Sequence, residues 1–378
     1  MNMKENAIYI HIPFCDHKCI YCDFYSITPL DKKEEYLACL KKEIEFYAAK
    51  YGEGREIISV FFGGGTPSLM EPAYIKEILD KVKGSFNVRN DAEITLETNP
   101  GTVNRKKVEQ FIGAGINRIS IGIQSFHNPD LKFLTRIHDS ALAEKTVFYA
   151  YDAGCHNISL DLIFNLPGQT LRKWSLNLQR AIALPVKHIS AYSLILERGT
   201  ILNKMVLEGK VKIEDADTDA MFYEHTIDFL TRHGFNQYEV SNFAREGYEC
   251  VHNNAYWHYK EYISFGTSSH SFSEGRRWWN YSALSFYNKA INERGEAVAA
   301  SETLTKEQML EEYVMLALRS RGINISEMEQ LFGGAWLEEN KSLITSLISS
   351  GHLVNEGSYL KLTSKGYTIC DEILTKFS

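Results

Sequence analysis

Residues 9–24 read YIHIPFCDHKCIYCDF, in which Cys15, Cys19 and Cys22 lie within eight residues. They follow a short β-branched run, residues 7–11, that predicts a strand. The CxxxCxxC spacing therefore places three thiols on one tight loop directly after a strand. Zinc sites more often combine two CxxC or CxxH pairs, and the sequence has no second pair of this kind.

Three cysteines at this spacing suit a [4Fe–4S] cluster that keeps one iron open. Such clusters usually take four cysteine ligands, so a missing fourth leaves a site for the amino and carboxylate groups of S-adenosylmethionine (SAM). Electron transfer from the cluster to the sulfonium then gives methionine and a 5′-deoxyadenosyl radical, which is chemistry of the cofactors. Two alternatives stay open on spacing alone: a zinc site completed by His11 and His17, or three buried structural cysteines.

Length and composition indicate the class of protein. The chain has 378 residues, 44% of them apolar and 24% charged, which is usual for a soluble globular protein with a large core and an appendage. Its net charge of −7 gives no field that attracts nucleic acid or an anionic membrane. Neither a secretory signal nor an apolar run long enough for a membrane span is expected. Seven cysteines, three of them clustered, favour the reducing cytoplasm.

Short β-branched runs alternate with helical stretches through the first half of the chain. This alternation predicts βαβ units with a parallel sheet. Six units are too few for a closed eight-stranded barrel, so we expect an α/β fold with a partial (β/α)6 barrel. The predicted strands are 7–11, 57–62, 93–97, 118–123, 158–164 and 188–194, and the predicted helices are 31–51, 71–82, 105–114 and 141–153.

The predicted strands carry glycine and polar residues at their carboxyl ends, where barrels bind ligands. Glycines 63–65 end the second strand, Glu97 the third and Gln124 the fourth. Glycines allow close approach of a ligand, a carboxylate accepts from ribose hydroxyls, and Arg136 offers a planar fork for a carboxylate. Asp161 lies in an otherwise apolar strand, where an unpaired charge is costly. A plain turn, a solvated acid and a surface salt bridge are the alternatives for the glycines, Glu97 and Arg136.

The character of the chain changes near residue 301. Predicted helices at 306–320 and 336–349, a hairpin at 351–362 and a last helix resemble a winged-helix module. Residues 301–378 carry seven Lys and Arg against eleven Asp and Glu, a net charge of −4, which is the wrong sign for DNA binding. We therefore expect a lid that packs on the barrel. The predicted organisation is a partial barrel over 1–235, a mixed extension over 236–300 and a winged-helix-like module over 301–378.

The order of these motifs resembles the oxygen-independent coproporphyrinogen III oxidase superfamily, whose branches include HemN-type oxidases and HemW-type heme chaperones. The resemblance covers nearly the whole chain. It rests on the cluster loop, GGGTPS at 63–68, ETNPG at 97–101, SIGIQSF at 120–126, RIH at 136–138 and DLIFNLPGQT at 161–170. It implies a radical SAM fold with a [4Fe–4S] cluster on Cys15, Cys19 and Cys22. It also implies SAM contacts by Tyr9, Tyr21, Gly64, Gly65, Thr66, Glu97, Gln124, Arg136 and Asp161.

Three features separate the two branches of this superfamily. The oxidase branch has a fourth cysteine two residues after the triplet, where this chain has Phe24. That branch also has a longer segment before the cluster loop, whereas 14 residues precede Cys15 here. HNNAYW at 252–257 matches the HNxxYW motif of the chaperone branch, and Ser264 departs from that branch at a position where glycine is usual. The match implies heme contacts by His252, Asn253, Tyr256 and Trp257.

Taken without the resemblance, the HNxxYW motif has two interpretations. Histidine is a common axial ligand of heme iron, and Tyr256 and Trp257 offer flat apolar surface. Equally, His252 can be a hydrogen-bonded loop histidine beside core aromatics. The resemblance favours a chaperone that binds heme and passes it to apo-hemoproteins such as respiratory enzymes at the membrane, with an oxygen-independent coproporphyrinogen III oxidase as the alternative. A homodimer stays open.

Overall fold

Six parallel strands in sequential order form the centre of the molecule. The structure is a computed structural model and describes residues 3–377. Each strand pairs with the next along the chain, and in the described residues the sixth does not return to the first, so the barrel is open. The predicted α/β fold with a partial (β/α)6 barrel is confirmed. The strands are β1 Lys4–Ile12, β2 Arg55–Gly64, β3 Val88–Thr98, β4 Arg118–Gln124, β5 Ile158–Phe164 and β6 His188–Ser193.

Helices connect the strands and cover one face of the sheet. In the first of them, Tyr36, Leu40 and Ile44 are buried at helical spacing and join Ile8 and Ile10 of β1 in one hydrophobic core. The sequence pattern did not mark two of the helices, 128–133 and 171–183. The six are α1 Lys33–Tyr51, α2 Pro72–Ser85, α3 Arg105–Gly113, α4 Asn128–Phe133, α5 Ser140–Asp152 and α6 Leu171–Ala183.

Local signals determine where several of these helices begin and end. Asn104, Asp139 and Thr170 each precede a helix and accept a hydrogen bond from the backbone N–H three residues later. Gly154 follows the end of α5 with φ +94°, a conformation that favours glycine. These caps explain why the predicted helices at 105–114 and 141–153 agree closely with α3 and α5.

The two faces of the sheet differ in chemistry. Along β3, Glu93, Thr95 and Glu97 alternate with the buried Ile94 and Leu96. Because successive side chains of a strand point to opposite faces, the apolar residues face the helices and the polar residues face the concave interior. Every second residue of the strand therefore faces the interior. Glu93 shares this face with Glu97 and lies farther from the carboxyl end of β3.

The segment from 236 to 300 extends the same sheet at both edges. One added strand pairs antiparallel with β6, and another pairs parallel with β1. Phe243, Ile263 and Trp278 from this segment belong to the main hydrophobic core. Two helices precede it, α7 Ile201–Leu207 and α8 Ala216–Arg232, and its elements are β7 Asn236–Gln237, β8 Asn242–Ala244, α9 Val251–Trp257, β9 Tyr262–Phe265, β10 His270–Ser273, β11 Arg276–Asn280, α10 Leu284–Arg294 and β12 Val298–Thr303. The last of these strands crosses the boundary predicted at residue 300.

The C-terminal residues form a small module with a hydrophobic core of its own, built on a three-stranded antiparallel sheet. The single helix predicted over 336–349 is wrong, because Asn340 (ψ 4°) interrupts it and separates two helices. The predicted last helix is likewise two short ones. No helix in residues 3–377 combines the length and apolarity needed to cross a membrane. The elements are α11 Lys306–Leu318, β13 Ile323–Asn324, α12 Ile325–Phe332, α13 Ala335–Glu339, α14 Lys341–Ser349, β14 Leu353–Glu356, β15 Tyr359–Leu362, α15 Ser364–Thr368 and α16 Cys370–Leu374.

Candidate functional site

The loop after β1 carries all three predicted cluster ligands. A backbone hydrogen bond of 2.9 Å from Cys15 N to Ile27 O closes the loop at its base. Cys15 is buried, with its Sγ 3.3 Å from Thr66 Oγ1, whereas Cys19 and Cys22 are partly exposed. The three cysteines line one cavity of about 480 Å³ at the carboxyl ends of the strands.

The chemistry of the three thiols fits an iron–sulfur cluster. Burial raises the pKa of Cys15 and raises the pKa of Cys22 to about 11, so metal binding at this loop must displace protons. In residues 3–377, no three His, Cys, Asp or Glu side chains converge on a point that a single metal ion could occupy. A cubane cluster needs no such point, because each thiolate binds a different iron atom.

His11, one of the two histidines that could complete a zinc site, already uses both ring nitrogens. Its Nε2 lies 3.0 Å from Tyr25 O, and its Nδ1 lies 3.2 Å from Tyr9 OH. A carbonyl only accepts, so Nε2 carries the proton and Nδ1 accepts from the phenol. Burial lowers the pKa of His11 to about 4, which keeps the ring neutral. These contacts favour a structural role for His11 over a role as a zinc ligand.

The glycine turn after β2 packs closely against the cluster loop. Gly64 has φ +112°, a conformation that L side chains rarely adopt. A Cβ on Gly65 would lie 2.8 Å from Phe14 O, so a larger residue would push the turn away from the loop. Thr66 N donates to the same carbonyl oxygen at 2.8 Å. The turn thereby presents its backbone beside the thiols.

Two carboxyl groups, Glu97 and Asp161, line the same cavity. Glu97 Oε2 accepts from Gly64 N at 3.1 Å, and Asp161 Oδ1 accepts from Ser120 Oγ at 3.1 Å. Burial, followed by the charge of Asp161, raises the pKa of Glu97 to about 8, and burial also raises the pKa of Asp161. Carboxyl groups with raised pKa values in a cavity are typical of binding sites. Both retain acceptor capacity for hydroxyl or amino groups of a ligand.

Arg136 and Gln124 form a further wall of the cavity. Arg136 Nη2 donates to Asn99 Oδ1 and to Gly122 O, both at 2.7 Å, and its Nη1 lies 3.7 Å from Cys19 Sγ. Its buried Nε has no partner among the described residues, which leaves a donor for an anionic group. Gln124 has φ +69° where the register of β4 shifts. Such strained backbone is frequent at binding sites.

Eight of the nine residues predicted to contact SAM line this cavity. The ninth, Tyr9, is absent from its wall and lies on the interior face of β1, where its ring centroid is 6.3 Å from that of His252. The SAM contacts of all nine stay predictions. The eight are Tyr21, Gly64, Gly65, Thr66, Glu97, Gln124, Arg136 and Asp161.

The HNxxYW motif forms α9, which packs on the interior face of the sheet below the cavity. His252 is buried, with Nδ1 2.9 Å from Ser59 Oγ and Nε2 2.9 Å from Tyr256 OH. Its ring stacks on Phe61 with 4.9 Å between centroids, and burial lowers its pKa to about 3. Both ring nitrogens are therefore engaged, and His252 is not open to a heme iron in this conformation.

A buried carboxylate fixes the start of α9. Glu93 accepts hydrogen bonds from Cys250 Sγ at 3.4 Å, from Val251 N at 3.2 Å and from His252 N at 3.1 Å. The buried Arg118 lies 3.7 Å from the same carboxylate and supplies the opposite charge. α9 is thus anchored to the strands by its first turn as well as by the imidazole of its histidine.

The other residues of the HNxxYW motif also lie on α9, beneath the cavity. Tyr256 packs edge-on against Tyr262, with 4.5 Å between ring centroids, and Asn253 and Trp257 are half-buried. Within the described chain, none of the four predicted heme residues lines the cysteine cavity. The structure therefore brings eight predicted SAM residues together with the cysteines and places the HNxxYW motif elsewhere.

The cavity also has walls that the sequence motifs do not assign. Tyr192, Leu194 and Ile195 come from the end of β6 and the loop that follows, and Phe24 comes from the residues after the last cysteine. Strand alternation could have found Tyr192, which shares the interior face with Ser190. The loop residues carry no such signal, because their position depends on where the chain turns after β6.

Known proteins are similar to this chain in both fold and sequence. The radical SAM superfamily matches residues 9–177, and the HemN C-terminal domain matches residues 304–369. The heme chaperone HemW of Lactococcus lactis is 32% identical, over 100% of this chain and 98% of its own length. The heme chaperone HemW of Bacillus subtilis is 33% identical, over 98% of each chain.

Among solved structures, the coproporphyrinogen III oxidase HemN of Escherichia coli superposes with a TM-score of 0.85 over 100% of this chain and 90% of that chain. Its identity of 23% shows a common fold and no more. The identity to the chaperones, by contrast, exceeds 30% from end to end. This chain belongs to the HemW family of radical SAM proteins.

Proposed function

We propose that this protein is a heme chaperone, which binds heme and delivers it to apo-hemoproteins while carrying a [4Fe–4S] cluster and SAM. The observation that carries the proposal is the full-length similarity to relatives that bear the name heme chaperone. Phe24 adds support, because the oxidase branch has its fourth cysteine at this position. In this chain the side chain is exposed and lines the cysteine cavity.

The residues around the cavity would hold both cofactors. Cys15, Cys19 and Cys22 would bind three irons of the cluster and leave the fourth iron to SAM. When bound, this pair supplies one-electron cleavage of a sulfonium. Glu97 would accept hydrogen bonds from hydroxyl groups, and Arg136 would donate from its unpaired Nε to a carboxylate. The half-buried position of Glu97 and Arg136 would exclude part of the water around the ligand.

Heme is the cargo of this proposed activity. Ligation by His252 stays a prediction, and it would require α9 to give up the hydrogen bonds of His252 to Ser59 and Tyr256. We propose heme acceptors among respiratory enzymes at the membrane, reached from the cytoplasm by peripheral contact. A homodimer of the chain is compatible with this scheme.

Heme loading and release test the proposed function directly. The anaerobically reconstituted protein would be titrated with heme, and the loaded protein then mixed with apomyoglobin as a probe acceptor. We expect near-stoichiometric binding, followed by the absorbance spectrum of holomyoglobin. A protein that binds no heme, or that retains it in the presence of the acceptor, would overturn the proposal.

The alternative function is oxygen-independent oxidation of coproporphyrinogen III. The observation that favours it is the fold shared with the HemN oxidase. Anaerobic incubation of the reconstituted protein with SAM, a reductant and coproporphyrinogen III separates the two functions. We expect no decarboxylated product, and sustained turnover would establish the oxidase instead.

A further inference from the structure

Part of the open side of the cysteine cavity is apolar. Phe24 is 62% exposed, Ile195 is 64% exposed, and both line this cavity together with Tyr192 and Leu194. We call these four residues the mouth. Exposed apolar side chains grouped at one opening are a feature of ligand-binding grooves and interaction sites.

The helix that follows the mouth, α7, carries further exposed apolar side chains. Ile201 and Leu207 on this helix are exposed, and a 2.9 Å hydrogen bond from Leu202 N to Ile20 O ties the start of the helix to the cluster loop. The start of α7 is therefore held beside the cluster loop by a backbone contact.

The polar groups at this opening suit the remaining parts of a heme. His17 is the one imidazole among the described residues that line the cavity, and it is exposed on the cluster loop. Its ring makes no hydrogen bond to any described residue, which leaves a nitrogen for iron. Lys18 supplies a cation for a propionate, whereas Asp23 and Glu197 are the opposing charges on the rim.

We infer that heme lies across the mouth, with its ring on Phe24 and Ile195 and its iron bound by His17. This inference rests on the proposed function and assigns its binding site. The mouth residues are open to solvent in the conformation described, whereas His252 is closed by Ser59, Tyr256 and the stacked ring of Phe61. The HNxxYW motif then acts as part of the barrel interior.

Charged substitutions at the mouth test where the macrocycle lies. Phe24→Asp and Ile195→Asp place a carboxylate under the ring, and the matched control Leu176→Asp changes a side chain that is 51% exposed on α6. In heme titrations followed by absorbance, we expect the Kd to rise about tenfold or more in each mouth variant. The control should stay within about twofold of the unmodified chain. Circular dichroism establishes that all three variants are folded.

Imidazole deletions test the iron ligand. His17→Ala should shift the heme absorbance band and weaken binding, while the iron content of the reconstituted cluster stays unchanged. His252→Ala should leave the heme spectrum unaltered, as should His188→Ala, which removes another buried imidazole of the barrel interior. Loss of the heme spectrum in His252→Ala alone would overturn the inference and return the ligand to α9.

The outcomes separate this inference from the proposed function. A wild-type chain that binds no heme refutes both. Normal heme affinity in both mouth variants refutes the inference and leaves the chaperone function intact. The mouth could instead be covered by a second copy of the chain. In that case the mouth variants would lose a dimer in size-exclusion chromatography and keep their heme affinity, which likewise refutes the heme site.

Discussion

The barrel interior has an upper part, around the cysteine cavity at the carboxyl ends of the strands, and a lower part beneath that cavity, where α9 packs. The two parts contain the same kinds of residues in different roles. In the upper part, Glu97 and Arg136 line a cavity, and the buried Nε of Arg136 has no partner among the described residues. In the lower part, Glu93 faces Arg118 and three donors from the start of α9. Buried charge alone therefore does not mark a binding site. The difference lies in whether the charged groups line a cavity, as Glu97 and Arg136 do and as Glu93 and Arg118 do not.

Two histidines of the lower part illustrate this point. His252 uses both ring nitrogens, on Ser59 and Tyr256. His188 uses both as well, with 2.7 Å to Ser159 Oγ and 2.8 Å to Tyr238 OH. The sequence motif distinguishes His252 from His188, whereas the contacts make them equivalent. We regard both as groups that join the strands to the segments packed beneath the cavity.

The largest effect is expected in the upper part, on the cluster. Cys19→Ser should abolish the iron–sulfur absorbance after reconstitution, because a neutral hydroxyl does not replace a thiolate as a ligand. Cys155→Ser is the matched control, since Cys155 is buried away from the cavity and its Sγ donates to the carbonyl of Asn157, a contact a hydroxyl can keep. Full cluster content in Cys19→Ser would contradict the assignment of this loop.

In the lower part, a large loss of stability is expected from Glu93→Gln. The substitution leaves the buried Arg118 without its opposite charge, and breaking a buried pair costs about 3 kcal/mol or more. Urea unfolding of the chain without cofactors measures this loss. Glu97→Gln, four residues along the same strand, serves as the control and should not destabilise the fold. Equal losses in both variants would remove the distinction between the two parts.

A smaller loss is expected when either histidine of the lower part is removed. His252→Ala and His188→Ala each delete two hydrogen bonds and leave a cavity, which should cost about 2–4 kcal/mol in each case. The comparison of interest is between the two variants in thermal unfolding. A near-neutral His252→Ala beside a destabilised His188→Ala would mean that α9 is not anchored in the way described.

A last expected effect is confined to the pH dependence of stability and comes from Glu97. Its pKa is about 8 in the fold against an ordinary value of 4.5, so the folded chain holds this proton longer than the unfolded chain. The contribution of this proton to the free energy of unfolding is complete below about pH 4.5 and is lost as the pH rises towards 8. In thermal unfolding without SAM, the melting temperature of Glu97→Gln should therefore fall less steeply between pH 4.5 and 8 than that of the unmodified chain. At pH 8 the variant should have the higher melting temperature. A parallel decline in both proteins would mean that Glu97 is ionised in the fold.

The sequence predicts the upper part of the barrel well, and the reason is local. The cysteine loop, the glycine turn and the residues that end the strands are each read from a few neighbouring positions. A parallel sheet then brings strand ends together without further information. This is why Glu97, Gln124 and Asp161, far apart in sequence, are correctly expected in one place.

The lower part depends on contacts that no local pattern encodes. The position of α9 follows from the pairing of β8 with β6 and of β9 with β1, which carries the short helix under the cavity. Ser59 as partner of His252, and Glu93 as the anchor of the helix, become visible only once those pairings are known. The HNxxYW motif is for this reason easy to recognise in the sequence and hard to place.

One measurement tests the distinction between the two parts most directly: the affinity for SAM of the reconstituted Glu97→Gln and Glu93→Gln proteins by isothermal titration calorimetry. The two substitutions make the same chemical change on the same face of β3. We expect a loss of about tenfold or more for Glu97→Gln, because one of the two carboxyl oxygens that can accept from a ligand hydroxyl is replaced by an amide NH2 group. We expect a change within about twofold for folded Glu93→Gln, which lies outside the cavity. Equal losses in the two variants, or a larger loss in Glu93→Gln, would contradict it.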